Sequence, residues 1–427
     1  MEGGVTNHNK PLQNLIFAPV LNMKNIFFFI CLMAMAGTGA AQQADSLIRS
    51  GKAKGMAYNY AGAIADYTAA IALSPANDSA YTCRGHAWYR WYGYEAALRD
   101  FDTALRLNPF SYHAYAGRAL DEAHMRNKAA AMADINKAIA MQPDSSWLYI
   151  VRAEVERVFK DYTAGLNDCN RCLALDSTDV YAYFQVAFIK GDLKDYTGAL
   201  QNLNRCFNFH PHDSGAVYNN LGVVYGKMKN KKTAYQYYNT AIQLNMGAID
   251  IAYGNRGLSG LYIDERKSDL EQALVLEPRC AKHYYDLAEF YQERGRYKKA
   301  LLFAQRALAH DPYDPLYHCG VGYINMRMGK LNAAVAFYDK SLALDSTYAP
   351  ALLDRGWARF KLNLCADAIT DYNLYLSLER DDGLAYYDRG QAEEELKQND
   401  KACADYKKAI ELKYTDAQYK RAALCGE

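Results

Sequence analysis

Apolar and small residues recur along most of this chain at intervals of three and four, the spacing that marks one face of an amphipathic helix. Between 281 and 314, Tyr284, Leu287, Ala288 and Tyr291 make one such face, Gly295 and Tyr297 interrupt it, and Ala300, Ala304, Ala307 and Leu308 make a second. His310-Asp311-Pro312 closes that second stretch, since proline cannot continue a helix. The pattern predicts a helix-turn-helix unit. Its closing phrase returns with a period of 34: Ala-Ile-Ala-Leu-Ser-Pro at 70–75, Ala-Leu-Arg-Leu-Asn-Pro at 104–109, Ala-Ile-Ala-Met-Gln-Pro at 138–143, and later copies at 341–346 and 409–414. Such a period predicts an array of about eleven stacked units rather than two or three compact domains.

Two further regularities sharpen the unit. Small residues recur in the first helix (Gly85, Ala119, Ala153, Ala187, Gly222, Ala288, Gly322, Gly356, Gly390) and early in the second (Ala63, Ala97, Ala131, Ala199, Ala234, Ala300, Ala334, Ala368, Ala402), as close helix approach requires. Arg84 and Asp100 are 16 apart, as are Arg118 and Asp134, Arg152 and Asp168, Arg355 and Asp371, and Arg389 and Asp405. This spacing predicts a recurrent structural ion pair between the two helices of one hairpin.

The motif Tyr284, Leu287-Ala288, Tyr291, Gly295, Tyr297, Ala300, Ala307 and Pro312 resembles the tetratricopeptide repeat family over about residues 44–427. The resemblance implies an all-α, right-handed superhelical solenoid whose concave groove, lined by the first helices, binds a protein or peptide. Family groove places fall on Tyr181, Phe184 and Phe188 in the fifth unit, Asn219 and Val223 in the sixth, and Tyr285, Glu289 and Gln292 in the eighth. They continue with Tyr323 and Met326 in the ninth, Trp357 and Phe360 in the tenth, and Tyr387, Gln391 and Glu394 in the eleventh. This aromatic set would suit an apolar partner segment. The Lys/Arg/Asn ring by which some family members clamp a terminal carboxylate is not matched.

The ladder has two irregularities. Pro211 to Gly222 is one residue longer than Pro312 to Gly322, and Gly257 to Ala273 is 16 where other units have 19. Arg256 and Asp269 agree, being 13 apart. The expected organisation is a disordered extension at 1–22, a signal peptide at 23–41, units one to six at 44–247, a short seventh unit at 248–280 with both helices trimmed, units eight to eleven at 281–414, and a capping helix at 415–427. The signal reading rests on Lys24, the apolar run Ile26–Ala36 and the small residues Gly37 to Ala41. That run is too short to span a bilayer comfortably, so the mature chain is expected to be exported, periplasmic or extracellular in a bacterial cell envelope, with no integral span.

Composition narrows the function. With 49 basic and 48 acidic residues and a net charge of +1, the chain lacks the positive excess that nucleic acid demands. No phosphate loop, His-Glu-x-x-His or Gly-x-Ser-x-Gly is present. No catalytic residue, metal site or cofactor is expected. His210-Pro211-His212 has no completing ligand, Cys169 and Cys172 read as small buried thiols, and Glu393 to Glu395 read as a solvated face. A secreted scaffold is the expectation. The alternatives are a helical-repeat enzyme with a site assembled from distant units and an RNA-binding repeat, which the neutral charge opposes.

Overall fold

The computed structural model describes residues 23–209, 214–244, 249–261 and 263–425. Among them every regular element is helical, and the helices form eleven hairpins and a terminal helix. α1 (Met23–Met56) pairs with α2 (Tyr60–Leu73), α3 (Asp78–Arg90) with α4 (Tyr94–Leu107), α5 (Tyr112–His124) with α6 (Lys128–Met141), and α7 (Ser146–Val158) with α8 (Tyr162–Leu175). α9 (Val180–Asp192) pairs with α10 (Tyr196–Phe209), α11 (Ser214–Lys227) with α12 (Lys231–Leu244), and α13 (Ile249–Ser259) with α14 (Ile263–Leu276). α15 (Ala281–Glu293) pairs with α16 (Tyr297–His310), α17 (Pro315–Arg327) with α18 (Leu331–Leu344), α19 (Ala349–Lys361) with α20 (Cys365–Leu378), and α21 (Gly383–Glu395) with α22 (Asn399–Glu411). α23 (Ala417–Cys425) packs on α22, tied to it by the Cys403–Cys425 disulfide.

Each first helix ends in a left-handed residue. Tyr58, Tyr92, Arg126, Lys160, Lys194, Lys229, Asn363 and Lys397 have φ between 59° and 65°, and Gly260, Gly295 and Gly329 fill the same place in units seven to nine. The following amide then folds back on the helix: Gly93 N–H reaches the Trp88 carbonyl at 2.8 Å, and Asn127 N–H that of Glu122 at 2.8 Å.

Inside a hairpin, the small residue of the first helix and the residue opposing it vary together. The rings of Phe101, Tyr238, Tyr338, Tyr372 and Tyr406 lie on Gly85, Gly222, Gly322, Gly356 and Gly390, where a Cβ would stand 2.5–2.8 Å from a ring carbon. Where the first helix carries Ala119, Ala153 or Ala187, the residue at the ring's place is the smaller Ile135, Cys169 or Leu203, all fully buried. Their combined volume is held near constant, as a close-packed interior demands.

The predicted Arg–Asp pairs are present as two-toothed forks. Arg118 Nε and Nη2 donate to Asp134 at 2.6 and 2.8 Å, Arg152 to Asp168 at 2.6 and 2.7 Å, and Arg389 to Asp405 at 2.7 and 2.7 Å. Arg84–Asp100, Arg355–Asp371 and, at the shorter spacing, Arg256–Asp269 repeat the geometry. The third nitrogen, Nη1, reaches the second helix of the preceding unit: Thr68, Asp102, Asn136, Asn239, Asp339 and Asn373 accept from Arg84, Arg118, Arg152, Arg256, Arg355 and Arg389. One side chain therefore fixes three helices. Units six, eight and nine fill the place with apolar partners, Leu221 with Tyr237, Leu287 with Phe303 and Val321 with Phe337; unit five has Val186 and Asn202 there, and Asp66 of unit one takes Lys54.

The short seventh unit loses residues from one helix only. α13 has 11 residues against 13 in α3, whereas α14 keeps 14, so the expected trimming of both helices is not found. Arg266 replaces the missing turn. Its Nε caps the Gly257 carbonyl at 3.0 Å, and its Nη1 holds Glu293 of α15 at 2.6 Å. The additional residue of unit six lies in α11, which has 14 residues.

Consecutive first helices pack on one another, as α3 does on α5 and α5 on α7, and second helices pack on the first helices to either side. The first helices thus form the inner wall of a superhelix. This superhelix closes on itself. Arg279 lies 4.4 Å over the Trp91 ring, Tyr313 Oη donates to Glu95 at 3.2 Å, His124 Nε2 stands 3.1 Å from Asp311, and Lys160 Nζ is 3.0 Å from Asp345. The last pair is 185 residues apart, between five and six units. The hairpin turns of units two to four therefore meet the inter-unit loops of units seven to ten along a seam.

Two outcomes follow. Gly322→Ala lowers stability to urea by about 1–3 kcal/mol, and Tyr338→Leu costs less in that variant than in the wild type, because the double variant copies Ala187–Leu203. A zero-length carbodiimide joins Lys160 to Asp345 in monomeric protein, detected as a cross-linked peptide pair. Finding that pair only in cross-linked dimers contradicts the seam.

Candidate functional site

The residues expected to line the groove all lie on the inner-wall helices α9, α11, α15, α17, α19 and α21. Phe188, Asn219, Val223, Glu289, Gln292, Tyr323, Met326, Trp357, Phe360, Tyr387, Gln391 and Glu394 are half-buried, and Tyr181 is 68% exposed. Phe184 and Tyr285 are buried. Phe184 packs with Val180, Leu203 and Leu221, and the Tyr285 ring occupies the space beside Gly320 on the next inner helix.

The two halves of this wall differ in their electrostatics. In units four to six the charges are matched internally. Arg157 Nη2 donates to Glu154 at 2.9 Å and Nη1 lies 3.8 Å from Asp192, Lys227 donates to Asp192 at 2.9 Å, and Gln185 donates to Glu154. Asn255 and Asn219 continue the line at 3.0 Å. In the later units one register carries Asp286, Asp354 and Asp388, where earlier units place Cys83, Gly117, Val151, Gln185, Asn220 and Asn255. Lys282 holds Asp286 at 2.8 Å. Burial pushes Asp354 and Asp388 up to about 7, and the Lys361 ammonium only partly offsets this at Asp388. Burial and the neighbouring Asp286 push Glu289 up to about 7 as well.

The tyrosines lying on glycines send their hydroxyls through to this wall. Tyr338 Oη donates to Met326 Sδ at 3.6 Å and Tyr406 Oη to Glu394 at 2.5 Å, with Lys420 Nζ 3.0 Å from Glu394. In unit ten the corresponding place holds Phe360, which cannot accept, and the buried Tyr372 hydroxyl has no hydrogen-bond partner among the described residues. Lys361 lies 5.4 Å over Trp357 and 5.2 Å over Phe360.

The other candidates are accounted for by packing. Cys169 and Cys172 are fully buried free thiols whose burial pushes them up to about 12, which removes the thiolate that redox chemistry needs. Glu393, read as part of a solvated face, is instead buried, its carboxyl pushed up to about 7 by burial and by Asp405. His210 and His212 lie outside the described residues. Among the described residues no group of three or more His, Cys, Asp or Glu is placed to hold a metal ion, and no helix is long and apolar enough to cross a membrane.

Two sequence profiles, each described as tetratricopeptide repeat, match the chain: one at residues 93–146 and 267–315, the other at 215–245, 317–348 and 384–416. The matched segments are tetratricopeptide repeats, and the fold is a helical solenoid of stacked repeats. Among solved structures it is similar to the crystal structure of the APC/C hetero-tetramer Cut9-Hcn1, at 14% identity and a TM-score of 0.54, over 92% of this chain and 94% of that one. It is also similar to the crystal structure of the yeast Tom70, at 14% identity and a TM-score of 0.46, over 90% of this chain and 96% of that one. No curated protein matches the chain significantly.

The raised carboxyls give stability a definite pH dependence. Between about pH 4 and pH 7 the folded chain keeps protons on Asp354 and Asp388 that the unfolded chain has lost, so their contribution declines as pH rises through that window. Asp354→Asn with Asp388→Asn makes the fall in melting temperature between pH 5 and pH 8 smaller than in the wild type. An unchanged fall contradicts the burial of these charges.

Proposed function

We propose that this protein is an exported scaffold that holds a segment of another protein along the inner wall of its superhelix. The observation that carries the reading is the set of half-buried aromatic side chains Phe188 on α9 and Tyr323, Trp357, Phe360 and Tyr387 on the successive inner helices α17, α19 and α21. Aromatic rings offer large contact area for little conformational entropy, which is why they dominate protein-binding surfaces. General support comes from the family, whose solenoid is typical of interaction scaffolds. Export is the reading of the segment 23–41, and the Cys403–Cys425 disulfide is in keeping with an oxidising compartment.

Site-specific photo-crosslinking in the native cell separates this function from the alternatives. A photoreactive phenylalanine at Tyr323 or Trp357 captures a discrete protein partner. The same group at Leu374 or Leu378, exposed on the outer helix α20, captures none. Equal capture from both faces rules out the inner wall as the binding surface. N-terminal sequencing of the mature protein tests export, with a start near Gln42 expected and an intact Met1 start contradicting cleavage.

A further inference from the structure

The inner wall of units ten and eleven carries two carboxyl groups for which the described residues supply no ion-pair partner. Asp354 on α19 and Asp388 on α21 occupy one register in consecutive units. Asp388 is only 8% exposed, and among the described residues neither carboxylate has an ion pair within 4.0 Å. This sets them apart from the carboxylates around them. Asp371 and Asp405 are gripped by arginine forks, Asp286 by Lys282, and Glu394 by Lys420 and Tyr406.

A second feature at the same place is independent of this register. The Tyr372 hydroxyl is fully buried and, among the described residues, without a hydrogen-bond partner; burial first, then the charges of Asp388, Asp371 and Asp354, raise its pKa. A buried phenol without a partner forfeits a hydrogen bond, so this place on the wall is incomplete as it stands. Phe360 packs against the cluster that holds Tyr372, and the chain shows what chemistry Phe360 and its neighbour Trp357 accept: the Lys361 ammonium lies over both rings. Rings that receive a cation, two carboxylates without one, and a hydroxyl free to accept a hydrogen bond are together complementary to an ammonium or guanidinium group.

We propose that the inner wall of units ten and eleven binds a lysine or arginine side chain of the partner segment, seated between Asp354 and Asp388 against Trp357 and Phe360. The proposal rests on the inner wall being the partner's binding surface and adds the partner's chemistry: its segment is basic where it crosses α19 and α21. Units four to six, whose charges are matched internally, take the neutral part of the segment. A cation entering the pocket would displace Lys361 from the two rings, and Lys361 would then turn outward into solvent.

The test uses the full chain and three dye-labelled peptides of equal length, with Lys, Ser or Glu alternating with Phe, read by fluorescence anisotropy at physiological salt. The Lys peptide is expected to bind most tightly. Asp354→Asn with Asp388→Asn, isosteric changes that relieve buried charge and so leave the fold intact, weakens that peptide about tenfold or more and leaves the Ser peptide unchanged. Phe188→Ala weakens all three peptides to a similar degree. Binding that is indifferent to peptide charge, or to the double substitution, overturns the cation site and leaves the inner wall as a binding surface. Failure of all three peptides to bind overturns both.

Discussion

A guanidinium held among three helices is the contact on which this architecture turns. Each fork joins the first helix of a unit to its own second helix, and the remaining nitrogen reaches back one unit, so the angle within a hairpin and the step between hairpins are set by the same side chain. A fork cannot be stretched without losing a hydrogen bond, and its carboxylates are almost wholly buried. Burying such a pair adds little net stability over an apolar filling, but removing one member strands the other and costs about 3–5 kcal/mol. That asymmetry explains why the partners exchange together in units eight and nine, where Leu287 meets Phe303 and Val321 meets Phe337, and why Asp66 of unit one, which has Ser50 at the arginine's place, takes Lys54 instead.

The regular step has a long-range consequence. Because it is nearly constant, turns and loops between five and six units apart arrive opposite one another, and the seam of Arg279, Asp311 and Asp345 against Trp91, His124 and Lys160 becomes possible. Beyond Lys160 the seam opens into a cleft of about 630 Å³ between Lys194 and the loop Glu379–Gly383.

Much of this was legible in the sequence because it is local and periodic. The repeat length, the hairpin, the Arg–Asp pairs and the missing residues of unit seven all follow from spacings within one unit. The third arm of each fork was equally periodic, since Thr68, Asp102, Asn136, Asp339 and Asn373 each precede their arginine by 16 residues, but its varied residue types hid it. The exchange of Gly–Tyr for Ala–Leu pairs needed knowledge of which positions oppose. The seam and the Cys403–Cys425 bridge depend on contacts between units, which no spacing within a unit encodes. The expected groove residues lie on inner-wall helices, yet Phe184 and Tyr285 went to packing, because a large aromatic at an inner-wall position can turn into a neighbour as readily as outward. The orphaned Tyr372 hydroxyl was invisible for a similar reason: it is orphaned only because Phe360 stands where Met326 and Glu394 stand in neighbouring units.

The central claim is that the fork and its apolar substitute are interchangeable fillings of one mechanical joint. The direct measurement is urea denaturation of Arg118→Leu, Asp134→Phe and the double variant, with hydrogen exchange followed across α5 and α6. Arg118→Leu alone is expected to lose about 3–5 kcal/mol, and the double variant to regain most of it with native protection in both helices. A double variant as unstable as the sum of its parts would contradict the account.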